Sequence, residues 1–133
     1  MIVVDTNVIA YFFLPGIHSE KARSAFIYDP EWCAPLLWRS EFRNVLAFYI
    51  RKKAMSADTA SAIVYEAEKL IESREYRISS SDVLSLISKS TCSAYDCEYV
   101  ALAIELKTKL VTSDKQIIKT FPQNIISLLE YFK

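Results

Sequence analysis

Four acidic residues occupy positions where a carboxylate is unusual in a folded protein. Asp5 and Asp114 each follow a short apolar run, and Glu41 and Asp96 lie in segments with helical periodicity, on or beside the apolar face. Burying an unpaired charge costs several kcal/mol, so such residues call for a chemical explanation. Several carboxylates gathered at one place are typical of a site for a divalent cation.

The segment around Glu41 predicts a helix at about residues 37–53. At about 100° per residue, its apolar side chains form one stripe: Trp38, Phe42, Val45 and Tyr49. Glu41 lies at the edge of this stripe, and Arg39 and Arg43 point to the far side of the helix. Neither arginine can therefore neutralise Glu41. The alternative interpretation is an acid at the core edge whose carboxylate reaches solvent.

The segment around Asp96 repeats the pattern in a helix predicted at about 95–107. Asp96 shares a stripe with Tyr99, Val100 and Ala103, whereas Glu98 and Glu105 are predicted on the opposite, solvent-facing side. Structural alternatives exist for three of the acids. Ser93 with Asp96 fits a helix capping pattern, and Asp5 or Asp114 could each be a helix N-cap.

The combination of the four acids favours a metal site over separate structural roles. Two acids leave the carboxyl ends of predicted parallel strands, where open α/β sheets bind ligands, and two lie on helix faces that should pack against that sheet. Two carboxylates about 4 Å apart repel by about 4 kcal/mol at an effective dielectric constant near 20. No lysine or arginine in these segments is placed to offset this repulsion. A hard divalent cation, Mg²⁺ or Mn²⁺, would do so, activate water and neutralise charge on a phosphodiester.

The elements that must position these acids alternate along the chain. Short strands are predicted near five places: 2–5, 32–34, 76–78, 109–112 and 125–127. Helices are predicted after the first strand and at about 18–28, 37–53, 57–72, 82–90, 95–107 and 114–121, with Asp82 or a serine capping the fifth of these. Such alternation predicts an α/β fold with a mainly parallel sheet covered on both faces. The 133 residues suit a single domain, 1–133, with one core.

Composition excludes several classes of protein. The net charge is zero, so a nucleic acid would have to be bound through a local basic rim or a metal. The single glycine, Gly16, excludes the glycine-rich loops of the common nucleotide-binding motifs. No apolar stretch is long enough to span a membrane, and the N-terminus lacks the pattern of a signal peptide. The three cysteines fit reduced thiols in a cytoplasmic protein.

Four segments together resemble PIN-domain ribonucleases, most closely the VapC-like toxins of toxin–antitoxin pairs. They are Ile2-Val3-Val4-Asp5-Thr6-Asn7-Val8-Ile9, Ser40-Glu41-Phe42-Arg43-Asn44-Val45-Leu46, Ser93-Ala94-Tyr95-Asp96-Cys97-Glu98-Tyr99-Val100-Ala101-Leu102-Ala103 and Leu110-Val111-Thr112-Ser113-Asp114. The resemblance implies a three-layer α/β/α sandwich with about five strands. It also implies metal-dependent cleavage of RNA, a homodimer and a small antitoxin partner.

The resemblance also implies roles for particular residues. Asp5, Glu41 and Asp96 correspond to the family's metal-binding acids, and Asp114 to a fourth, more variable acid, with Mg²⁺ or Mn²⁺ as the cofactor. The family's polar residues that orient these carboxylates correspond to Asn7, Asn44 and Thr112.

Three other classes of protein share part of this pattern. A phosphatase of the haloacid dehalogenase type needs a second aspartate two residues after the first, where this chain has Asn7. A receiver domain needs a phosphorylated aspartate after the third strand, for which Asp82 is a loose candidate. The third alternative is a catalytically silent PIN-like module that binds RNA or protein, in which the four acids would have no reason to be kept together.

Overall fold

The computed structural model describes residues 1–131, and the last two residues of the predicted domain 1–133 lie outside the described residues. Five strands occur in this part of the chain: β1 (Ile2–Val4), β2 (Trp32–Pro35), β3 (Glu75–Tyr76), β4 (Leu110–Thr112) and β5 (Ile125–Ser127). The helices are α1 (Thr6–Phe13), α2 (Ser19–Tyr28), α3 (Leu37–Arg51), α4 (Ala57–Ile71), α5 (Ser80–Ile87), α6 (Ala94–Glu105) and α7 (Lys115–Thr120), and a 3₁₀ turn spans Glu72–Arg74.

The strands form one sheet in the order β3-β2-β1-β4-β5, and each neighbouring pair is parallel. The chain starts in the central strand, builds one half of the sheet through β2 and β3, and then crosses to β4 on the other side of β1. The gap beyond the carboxyl ends of β1 and β4 is therefore the point where the strand order reverses. Open α/β sheets bind their ligands at such a point.

The helices cover both faces of the sheet, which confirms the predicted α/β/α sandwich. Helix α1 contacts α2, α3 and α4, whereas α5 contacts α6, and α6 also packs on β1, β2 and β4. Strands β1, β2 and β4 are buried along their whole length, as expected for a parallel sheet between helices. This arrangement brings the start of α1, the middle of α3 and the start of α6 to one end of the sheet.

The core is dominated by large apolar side chains, among them Trp32, Trp38 and Phe42, which are almost completely buried. Full burial of one such side chain stabilises the fold by about 1.5–3 kcal/mol. The three cysteines are free and buried, in line with the prediction of reduced thiols. Between residues 1 and 131, no helix is long and apolar enough to cross a membrane.

The third strand lies earlier than predicted. It spans Glu75–Tyr76 and pairs with Ala34 and Pro35, whereas the sequence predicts a strand at 76–78. A glutamate is unfavourable in a strand unless its charge is neutralised. Here Arg39 and the indole N–H of Trp38 bind the Glu75 carboxylate. Those contacts come from α3, so local propensity around residue 75 does not indicate them.

Helix α5 also begins earlier than its prediction of 82–90. Ser79 occupies the N-cap position, and its hydroxyl bonds to Ser81 Oγ at 2.9 Å. A serine therefore stands at the cap, while Asp82 lies within the first turn.

Candidate active site

A cleft of about 390 Å³ opens beyond the carboxyl ends of β1 and β4. We call it the acidic cleft; its lining is Asp5, Thr6, Asn7, Leu37, Ser40, Glu41, Asn44, Val45, Tyr95, Asp96, Tyr99, Asp114 and Ile117. The structure thus brings all four predicted acids to one place, although up to 109 residues separate them in the chain (114 − 5). The lining contains no lysine, arginine or histidine, so no side chain there offsets the four carboxylates.

Asp5 is the most deeply buried of the four acids, with 7% of its surface exposed. It caps α1 by accepting a hydrogen bond from the Val8 amide at 3.0 Å, and its second oxygen accepts one from the Thr112 hydroxyl. The pKa of Asp5 is raised to about 6, chiefly by burial and to a smaller extent by the charges of Asp114 and Glu41, against the lowering effect of these two hydrogen bonds. The hydrogen bonds orient the ionised carboxylate, but its burial lowers the stability of the fold. A bound cation would stabilise the ionised form.

Asp114 is held by the same threonine that orients Asp5. Its carboxylate caps α7 through the Ile117 amide at 3.0 Å, and its own amide donates to Thr112 Oγ1 at 3.0 Å. Thr112 therefore couples the two acids that follow the central strands, as the resemblance implied. Asp5 and Asp114 each cap a helix, as predicted, and each also lines the cleft.

Glu41 is anchored by two hydroxyl groups. Tyr99 Oη donates to Glu41 Oε1 at 2.6 Å, and Thr6 Oγ1 donates to the same oxygen at 2.9 Å. The two hydroxyls are themselves 2.6 Å apart. These contacts join α3, α6 and α1 at the cleft, and burial together with the Glu41 charge raises the pKa of Tyr99 well above its usual value.

The roles of Thr6 and Tyr99 were not predicted from the sequence. A signal for Tyr99 was nevertheless present, because it lies on the same helix face as Asp96, three residues later. Thr6 directly follows Asp5 and enters α1 with it. Hydrogen bonds between residues 93 positions apart become visible only once the helices are packed.

Asp96 lies half-buried near the N-terminus of α6, where Ser93 caps the helix by accepting from the Asp96 amide at 3.1 Å. Burial raises the pKa of the Asp96 carboxyl, and the charge of Asp114 raises it further, with a smaller contribution from Glu41. A hydrogen bond with the Ser93 side chain acts in the opposite direction. Asp96 therefore shares the electrostatic field of the other cleft acids.

The two arginines of α3 lie outside the cleft as predicted, whereas Glu98 of α6 is more buried than predicted. Arg39 binds Glu75 and Glu68 on the far side of α3, and Arg43 is exposed, so neither lines the cleft. Glu98, predicted to face solvent, is half-buried, and burial and the Glu41 charge raise its pKa. The prediction for Glu98 was wrong because α6 lies against other elements over more of its circumference than its apolar stripe indicates.

The buried face of α3 is also displaced from the predicted stripe. The fully buried residues are Trp38, Phe42 and Leu46, whereas Val45 and Tyr49 are only partly buried. The apolar face of α3 is wider than the face that reaches the core. Val45 consequently lies in the wall of the acidic cleft.

The donor set of the cleft fits a hard divalent cation. Over residues 1–131, no three histidine, cysteine or acidic side chains are close enough together to form a ready-made metal cage. The four carboxylates instead surround an open cleft without a neutralising side chain. Oxygen donors in an open site suit Mg²⁺ or Mn²⁺, since such ions retain several water ligands.

Fold and cleft together define an α/β protein with a carboxylate-lined ligand site, and its sequence places it in a family. The chain belongs to the PIN domain family, which it matches over residues 2–121. It is 32% identical over 124 residues to Ribonuclease VapC3 of Pyrobaculum aerophilum, covering 91% of this chain and 95% of the relative. The predicted resemblance is thereby confirmed.

Solved structures show the same fold. A crystal structure from Pyrobaculum aerophilum superimposes with a TM-score of 0.75 at 17% identity, covering 96% of this chain and 90% of the other. A toxin–antitoxin complex from Klebsiella pneumoniae contains a chain with a TM-score of 0.68 at 17% identity, covering 98% of this chain and 99% of the other. At these identities the likeness establishes the fold alone.

Proposed function

We propose that this protein is a metal-dependent endoribonuclease and the toxin of a toxin–antitoxin pair. The observation that carries the proposal is the acidic cleft, in which four carboxylates meet without a neutralising side chain. A fold that keeps such repulsion at a ligand-binding edge of the sheet indicates that the site is completed by a cation. The relationship to Ribonuclease VapC3 supports RNA as the substrate.

Asp5, Glu41, Asp96 and Asp114 are the residues that would hold Mg²⁺ or Mn²⁺. When bound, such an ion lowers the pKa of a water molecule and neutralises charge that develops on the phosphodiester during hydrolysis. Because the cleft itself is acidic, the same ion offsets repulsion between the carboxylates and RNA.

The remaining polar residues of the cleft position the carboxylates. Thr112 binds one oxygen of Asp5 and the backbone amide of Asp114, so that it holds both acids at the cleft. Tyr99 and Thr6 both donate to Glu41 Oε1, which leaves Oε2 free of competition from either hydroxyl. Partners of this kind orient ligating carboxylates and typically change metal affinity or activity by about 10- to 100-fold.

The proposal includes a cellular setting. We expect a single domain over 1–133, an antitoxin partner, a homodimer and a cytoplasmic location. The toxin–antitoxin complex from Klebsiella pneumoniae, which contains a chain of the same fold, supports the antitoxin partner. The three free, buried thiols suit a reducing compartment.

A catalytically silent module for RNA or protein binding is the alternative. The acidic cleft argues against it, since four uncompensated carboxylates reduce stability and repel RNA unless a cation is used. This alternative predicts binding of RNA without cleavage.

Incubation of purified protein with a mixed single-stranded RNA tests the proposal, with Mn²⁺ in one arm and excess EDTA in the other. We expect cleavage only with Mn²⁺, and none by the Glu41→Gln variant. Glu68→Gln is the matched control, because Glu68 is also a half-buried glutamate on a helix, but it pairs with Arg39 and does not line the cleft. RNA that stays intact with Mn²⁺, or equal cleavage by Glu41→Gln and the parent, would overturn the proposal.

A further inference from the structure

A second cleft of about 490 Å³ adjoins the acidic cleft. Asn7, Asn44 and Val45 line both clefts, so the two are continuous along one wall formed by α1 and α3. We call the second one the aromatic cleft, after four of its lining residues: Tyr11, His18, Phe48 and Tyr49. Its volume lies within the range of about 300–1,000 Å³ that is usual for small-molecule sites.

The two clefts differ in charge. The aromatic cleft is lined by no aspartate, glutamate, lysine or arginine, whereas four acids line its neighbour. The Lys52 ammonium lies beside it, 4.5 Å from the centre of the Phe48 ring. An uncharged aromatic group would therefore meet no electrostatic penalty in the aromatic cleft, unlike a phosphate in the acidic cleft.

Tyr11 connects the aromatic cleft to the acids. Its ring lies 4.7 Å from that of His18, and its hydroxyl bonds to Ser113 Oγ at 3.0 Å. Ser113 immediately precedes Asp114, so a group bound beside Tyr11 lies close to the acidic cleft. Phe48, which also lines the cleft, is 54% exposed, so part of its side chain is accessible to a ligand.

We propose that the aromatic cleft holds a nucleobase of single-stranded RNA, next to the phosphate that lies in the acidic cleft. This inference rests on the proposed nuclease function. An acidic site gains little affinity from the RNA backbone, so binding must come from elsewhere on the nucleotide. Stacking on aromatic side chains supplies such affinity, and it requires a base that is free of a duplex.

Steady-state cleavage by the Phe48→Ala variant tests the inference. We expect KM for a short single-stranded RNA to rise about five- to tenfold with kcat unchanged, because stacking binds substrate and transition state equally. Tyr65→Ala is the matched control. Tyr65 is likewise exposed on a helix, with Lys69 Nζ 5.1 Å from its ring centre, but it lines neither cleft. An unchanged KM for Phe48→Ala, or an equal rise for Tyr65→Ala, would overturn the inference.

Photo-crosslinking tests the same inference without catalysis. Single-stranded RNA containing 4-thiouridine is irradiated with the Glu41→Gln variant, which keeps the aromatic cleft intact, and crosslinked peptides are identified by mass spectrometry. We expect crosslinks at Tyr11, His18, Phe48 or Tyr49. Crosslinks of this variant elsewhere, together with Mn²⁺-dependent cleavage by the parent protein, would overturn the base site and leave the nuclease function standing.

Two further outcomes separate the possibilities. Crosslinks in the aromatic cleft of a protein that never cleaves RNA support the base site and remove the nuclease function. A Phe48→Ala variant that loses binding to a small antitoxin protein but keeps its KM for RNA identifies the cleft as a protein groove, which overturns the inference.

Discussion

Two groups of acids in this protein show opposite electrostatic design. At the β3 edge of the sheet, Arg39 binds Glu75 at 2.6 Å and Glu68 at 2.9 Å. The hydrogen bond with Arg39, together with that from the Trp38 indole, lowers the pKa of Glu75. At the other group, the acidic cleft, burial raises the pKa of Asp5 to about 6 and no basic side chain lines the site. In the first group an arginine pairs with both acids, whereas no basic side chain lines the second.

The two groups differ in what they contribute to the stability of the fold. Glu75 is an acid whose burial is offset by an arginine and the Trp38 indole, so its group contributes to the fold. The cleft acids cost stability, and their oriented hydrogen bonds reduce that cost without removing it. Charges that a fold retains against its own stability are therefore the better guide to a binding site. The following predictions test this contrast.

The largest effect is expected for Asp5→Asn. Cleavage of RNA should fall to background, since the proposed metal site loses a charged ligand. Stability in EDTA should rise by about 1 kcal/mol, because removal of a buried charge outweighs loss of the Thr112 hydrogen bond. Urea unfolding and RNA cleavage of the same preparation measure both. Loss of stability at neutral pH would contradict the contrast between the two groups.

Arg39→Leu should have the reverse effect. It leaves Glu75, whose side chain is 7% exposed, without its cation, so we expect a loss of about 2 kcal/mol of stability. The cleavage rate of the folded fraction should stay unchanged, since Arg39 does not line the acidic cleft. Arg43→Leu is the control, because Arg43 is an exposed arginine on the same helix.

Tyr99→Phe tests the anchoring of Glu41. Loss of the hydroxyl should reduce cleavage about tenfold and raise the Mn²⁺ concentration needed for half-maximal activity. Stability should change by no more than about 1 kcal/mol, since Thr6 still donates to the carboxylate. Tyr76→Phe serves as a control on a half-buried tyrosine outside the cleft. A Tyr99→Phe protein with unaltered Mn²⁺ dependence would exclude a positioning role.

The smallest effect is a pH dependence in EDTA. The pKa of Asp5 is raised from 3.8 to about 6 in the folded state, so the folded protein binds more protons than the unfolded chain between these values. Stability should therefore fall as pH rises from about 4 to about 6, and Asp96, whose pKa is also raised, adds to this trend. Glu75 acts in the opposite sense, with a contribution that is lost as pH falls through its lowered pKa.

Urea midpoints measured across that range check the pH dependence. The slope should decrease in Asp5→Asn, which removes a group whose pKa is raised. It should become steeper in Arg39→Leu, which removes the main contact that lowers the pKa of Glu75. An equal slope in the parent protein and Asp5→Asn would assign the dependence to other groups.

The sequence predicts the sheet and the four acids because both leave local signals. Asp5 and Asp114 follow apolar runs, and Glu41 and Asp96 interrupt or border apolar helix faces. The hydrogen bonds between Tyr99, Thr6 and Glu41 are not predicted in this way, since they depend on how three helices meet. The start of β3 was missed for the same reason, because Glu75 is neutralised by a residue 36 positions earlier.

The aromatic cleft shows another limit of the helical pattern. Val45 and Tyr49 fit the apolar stripe of α3 as well as Trp38 and Phe42 do, yet they end in cleft walls. Periodicity identifies which side chains share a face, but the neighbouring helix decides how much of that face is covered. Apolar residues at the margin of a stripe are therefore ambiguous between core and binding surface.

The crossover from β3 back to β4 also has a consequence for protein synthesis. A ribosome that has made α6 has produced Asp5, Glu41 and Asp96, but β4, which pairs with the central strand, has not yet been made. Thr112 and Asp114 come with that last part of the sheet. A nascent chain thus cannot orient Asp5 through Thr112 until β4 has been made, so the acidic cleft is completed only after α1, α3 and α6 have been synthesised.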